Sequence, residues 1–83
     1  MAEDGLTALQ RQITALELSV NVLTGASVAY LDMANKVRQS GGSDDEVLQC
    51  ICDWLMPCLA QREHERERLA ELRRIKAGWL ERN

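Results

Sequence analysis

The chain is predicted to be all-α, a long antiparallel helical hairpin. Three observations predict it. Apolar residues keep helical phase from Leu6 to Val37, a Gly41-Gly42 pair interrupts the pattern once, and a helix-start signal follows at once. There is one proline, no phenylalanine, and aromatics make up 4% of the 83 residues, so a β-sandwich or barrel is not expected. Apolar residues at 46% and charged residues at 28% describe a folding chain rather than a disordered one. At this length the chain forms a single helical domain: a helix over about 4–40, a turn at 41–43 and a helix over about 44–82.

The first helix is expected to start at Asp4, a residue whose carboxylate caps free N–H groups. Leu6, Leu9, Ile13, Leu16, Val20 and Leu23 follow at alternating steps of three and four, the spacing of a heptad seam. The phase continues through Ser27, Tyr30, Ala34 and Val37. A second stripe comprises Ala8, Ala15, Leu18, Val22, Gly25 and Ala29. Around Val28 and Leu31 the helix is apolar on nearly every side. One hairpin partner covers one face, so a second apolar face predicts a second neighbour, and a second copy of the chain is its simplest source. The residues expected at a dimer seam are Leu6, Leu9, Ile13, Leu16, Leu18 and Val22. Gly25 admits a split of this helix, but the unbroken phase favours close packing against a small residue.

Ser43 with Glu46 three residues later forms a capping-box pattern, and Asp44 and Asp45 suit the positive end of a helix dipole. The second helix opens with Val47–Ala60, in which only Gln49 and Asp53 are polar, so burial on most sides is expected in the folded or the bound state. Pro57 removes a backbone donor and crowds the carbonyl four residues back, which predicts a kink or break. Residues 61–68 are charged around the helix, with opposite signs three or four apart. Apolar spacing returns at Leu69, Leu72, Ile75 and Trp79.

Folding about Gly41-Gly42 pairs residues whose numbers total about 84. Tyr30 then meets Leu55, Ile13 meets Leu72, Leu9 meets Ile75, and Leu6 comes near Trp79. Val20 and Leu23 fall opposite Arg62 and His64, a mismatch that again asks for another cover.

The net charge is −3. Residues 43–60 carry four acidic and no basic side chains, and residues 61–83 carry seven basic and five acidic ones. The overall balance does not favour a polyanion. Arg62, Arg66, Arg68, Arg73, Arg74 and Lys76 form the one stretch that would suit a nucleic-acid-associated regulator, and the interleaved glutamates argue for a solvated face. The acidic start Met1-Ala2-Glu3-Asp4 does not resemble a secretory leader, and Val47–Ala60 is too short to cross a bilayer. A cytoplasmic protein with reduced thiols and no membrane association is expected.

Cys50, Cys52, Cys58 and His64 are metal-ligand types, and a Cys-based metal or redox sensor is the reading they would support. Residues two apart on a helix point to nearly opposite sides, so Cys50 and Cys52 cannot easily share an ion, and buried structural thiols are expected. Cys58 and His64 lack a third orienting group for nucleophilic catalysis. No phosphate loop or nucleophile elbow occurs. The expectation is a non-enzymatic protein-interaction module with no cofactor, an inhibitor, anti-activator or adaptor. Its partner-binding residues would be Val20, Leu23, Val28, Leu31, Trp54, Leu55, Met56 and Leu59.

Overall fold

The computed structural model describes residues 4–82, and among these there is no strand. Helix α1 spans Gly5–Gln39 and runs without interruption through Gly25. The second arm is helical throughout. It consists of α2 (Asp44–Cys50), a π-helical turn (Ile51–Leu55) and α3 (Met56–Arg82). The two arms lie antiparallel and make a rod of 60 × 22 × 14 Å. Its radius of gyration is 18.4 Å, against about 12 Å for a compact domain of this length. A rod of this width has little interior.

The helix ends follow from local chemistry. The Asp4 carboxylate accepts from the Thr7 N–H at 2.7 Å. At the other end of α1, Gly41 adopts φ +88°, its N–H donates to the Arg38 carbonyl at 3.2 Å, and the Gly42 N–H donates to the Val37 carbonyl at 2.9 Å. That pair of bonds is a Schellman closure, and it needs a residue that tolerates the left-handed region. A side chain at Gly42 would strike the Val37 carbonyl, so both glycines are required. Ser43 then accepts from the Glu46 N–H at 3.2 Å and opens α2.

The disturbance expected at Pro57 takes the form of the π turn. The Met56 N–H reaches back to the Ile51 carbonyl, five residues away. An ordinary α turn would set the proline ring against the Asp53 carbonyl. The chain widens the turn instead of breaking.

The expected hairpin register holds. Gly5 with Trp79, Ser19 with Glu65, and Tyr30 with Trp54 all face each other across the rod, and the numbers of each pair total 84. Ile13, Leu69 and Leu72 form the buried cluster of the open end, flanked by Leu9 and Leu16. Ala34, Val47, Leu55 and Cys58 are the buried residues nearer the turn. Between the two ends lies a polar layer. Ser19 donates to Glu65 at 2.6 Å, and Arg62 donates to the Thr24 hydroxyl at 2.7 Å.

Two expectations need correction. Of the residues expected opposite Val20 and Leu23, Arg62 is met by Thr24, His64 is exposed, and the neighbouring Glu65 is met by Ser19, while Val20 and Leu23 are half-buried within the chain. The mismatch therefore does not call for another cover. Gly25, expected at a tight contact, faces open space, with nothing within 4 Å of the position a Cβ would take.

Candidate protein-binding surface

A two-helix rod buries one stripe of each helix and leaves the remainder to solvent. Among the described residues seven apolar side chains are buried, whereas twelve large apolar ones are exposed. The hydrophobic effect favours covering the latter, at about 25 cal/mol per Å² of apolar surface.

The exposed residues fall into distinct places. On α1, Leu18 and Val22 are 66% and 62% exposed. Val22 lies nine residues from Ile13, about two and a half turns, so it points directly away from the hairpin core. Val28 and Leu31 are also exposed, on the flank of α1. On the second arm Leu48, Trp54, Met56 and Leu59 are exposed around the π turn. Trp54 remains 54% exposed although its ring rests by Tyr30, with centroids 6.0 Å apart and planes at 33°. An indole held on one side and open on the other suits an anchor for a partner.

The expected partner-binding residues thus separate. Val28, Leu31, Trp54, Met56 and Leu59 are exposed, Val20 and Leu23 are half-buried, and Leu55 is in the core. The expected dimer seam separates as well. Ile13 is 3% exposed, with Leu9 and Leu16 packed beside it, and Leu6 is half-buried. These four belong to the side of α1 that the chain's own second arm covers, since the heptad seam they mark is the intramolecular one. Leu18 and Val22 stay uncovered. Leu48, Met33 and Leu80 are exposed apolar residues outside the expected binding set, and Ile75, expected opposite Leu9, is exposed as well. The hairpin register would have flagged Ser19 and Thr24, because it sets them opposite charges.

Acidic residues border the Trp54 region. Asp44, Asp45 and Glu46 lie in the first turn of α2, and Asp53 in the π turn. No lysine or arginine occurs between Arg38 and Arg62. The basic residues of α3 are largely engaged. Arg62 holds Thr24, Arg66 pairs with Glu63 at 3.9 Å, Arg68 with Glu71 at 3.7 Å, and Arg73 with Glu17 of α1 at 3.5 Å. Lys76 hydrogen-bonds Gln10.

Of the three cysteines, only Cys58 meets the expectation of a buried thiol. Its Sγ donates to the Leu23 carbonyl at 3.4 Å. Cys50 is half-buried and Cys52 exposed. Among the described residues no three His, Cys, Asp or Glu side chains gather as metal ligands would.

The longest stretch without a charge is Leu18–Leu31 in α1, not the segment after Val47. Helix α1 carries an 18-residue window of mean hydropathy 1.2, so by length and composition alone it could cross a membrane. Its charge-free part has 14 residues, short of the about 20 that a bilayer core asks for, and Ser19 and Thr24 within it bind charged side chains of α3. Comparison with family models, with curated proteins and with solved structures gives no match for this chain.

Proposed function

We propose that the protein is a non-enzymatic interaction module, a small inhibitor, anti-activator or adaptor that docks on a larger protein through the apolar surface around its π turn. The observation that supports this most is Trp54, a large indole fixed against Tyr30 on one side and open to solvent on the other. Met56 and Leu59, one turn apart on α3, and Leu48 on α2 extend the apolar surface. The contact would bury these side chains, with Trp54 supplying a disproportionate share of the binding energy. Asp44, Asp45, Glu46 and Asp53 would steer a basic partner to it and raise the association rate more than the final affinity.

The test is affinity capture from the native cell, comparing the natural chain with Trp54→Ala and Met56→Ser, followed by titration of the captured protein. Both positions are exposed, so the variants should keep their helicity by circular dichroism. The expected result is a protein held by the natural chain, lost with Trp54→Ala, and bound more slowly as salt rises. Equal affinity for the natural chain and both variants would refute the location.

A further inference from the structure

We infer that the open face of the Trp54 indole receives an arginine side chain of the partner, whose guanidinium stacks on the ring and pairs with Asp53. This deepens the reading above, on which it rests, by naming the group that the anchor takes.

The platform is aromatic and flat. The Trp54 and Tyr30 ring centroids lie 6.0 Å apart with planes at 33°, closer to stacked than to perpendicular. Tyr30 therefore backs one side of the indole, and Trp54 is still 54% exposed. Met33, three residues on from Tyr30 and so on the same side of α1, is exposed as well. A cation is attracted to the electron-rich face of an aromatic ring, and tryptophan is the strongest of the three for this. The single open face suits the planar guanidinium, and Met33 offers apolar surface to the methylenes behind it. The lysine ammonium is a compact, strongly hydrated point charge with no plane to lay on a ring.

Charge selects the same occupant. Asp53 adjoins Trp54 in the chain and is exposed. Residues 39–61 carry four carboxylates and no cation. The first cation beyond Tyr30 on α1 is Lys36, about 9 Å further along the helix, and it is paired with Asp32 at 3.0 Å. On the second arm Arg62 lies about 12 Å along from Trp54, and it donates to the Thr24 hydroxyl. An apolar side chain laid over the indole would strip water from Asp53 and give it no hydrogen bond in return, and an acidic one would be repelled. An arginine covers the ring and satisfies the carboxylate at once, because its N–H donors lie in the plane of the stack and point outward past the ring.

Titration of the full chain with oligoarginine, and with oligolysine of the same length, tests this at physiological salt. Calorimetry gives the affinities, and the indole N–H resonance of Trp54, identified by its loss in Trp54→Leu, reports the place of binding. Oligoarginine should shift that resonance and bind the tighter of the two. Trp54→Leu keeps an apolar side chain at an exposed position and should weaken binding about fivefold. Asp53→Asn should weaken it about threefold, whereas Glu67→Gln, the same loss of charge elsewhere on the rod, should leave it unchanged. Equal affinity for the two peptides, no loss in Trp54→Leu, or equal losses in Asp53→Asn and Glu67→Gln would overturn the inference. So would a Trp54 resonance that moves with the concentration of the chain alone, since that would give the open face to a second copy. Capture from the native cell separates this from the reading on which it rests. A partner lost with Trp54→Ala but held fully by Trp54→Leu would leave the docking site standing and remove the arginine.

Discussion

The Arg62 guanidinium donates to the hydroxyl of Thr24 at 2.7 Å, and that hydroxyl donates in turn to the Val20 carbonyl at 2.8 Å. A charged side chain of the second arm is thereby carried into the middle of an otherwise apolar seam. The Ser19–Glu65 bond lies within two helical turns of it, and together they form a layer that fixes how far one helix can slide along the other.

Removing that acceptor while keeping the shape isolates its contribution. Thr24→Val should destabilise the hairpin by about 1 kcal/mol, because Arg62 is only half-buried and recovers part of its hydration. Urea unfolding of Thr24→Val, of Arg62→Met and of the double variant checks it. A coupling energy near zero would mean that the layer does not set the register.

The turn depends on backbone freedom. Gly41→Ala should cost about 1 kcal/mol, because φ +88° is unfavourable for any residue with a Cβ. Gly42→Ala should also destabilise, since its Cβ would collide with the Val37 carbonyl, a backbone atom that cannot turn aside. Thermal denaturation of both variants measures this. A rise in Tm for either would show that the turn can rebuild without its Schellman bonds.

Pro57→Ala separates the proline from the π turn it follows. An alanine restores the missing donor and removes the ring, so stability should rise by about 1 kcal/mol, less than the full helix-interior penalty because the widened turn already relieves the clash. Amide exchange is the direct measurement, with new protection at residue 57 and altered protection across Ile51–Leu55. An unchanged exchange pattern would show that the widened turn has another cause.

The N-terminal cap is sensitive to pH. The Asp4 carboxyl is held below its usual value, first by the hydrogen bond from the Thr7 backbone N–H. A carboxyl with a depressed folded pKa stabilises the fold above its unfolded pKa, and that contribution fades as pH falls through the folded one. The first-turn amides of α1 should therefore exchange faster below the ordinary carboxylate range. Asp4→Ala should differ from the natural chain at neutral pH and converge with it in acid. A difference that persisted at the lowest pH would assign the effect to something other than the charged cap.

Local order along the chain was legible without any coordinates. Heptad phase, the glycine pair and the two cap residues are short-range signals, so they set the two arms, their ends and the pairing that brings Tyr30 beside the residue next to Leu55. The division of the apolar residues was not legible in the same way. Leu16 and Leu18 are both leucines on one helix, yet only the second stays in solvent, because exposure depends on which side the other arm lies. Likewise the exposure of Trp54 depends on where the other arm lies, a quantity that no sequence spacing encodes.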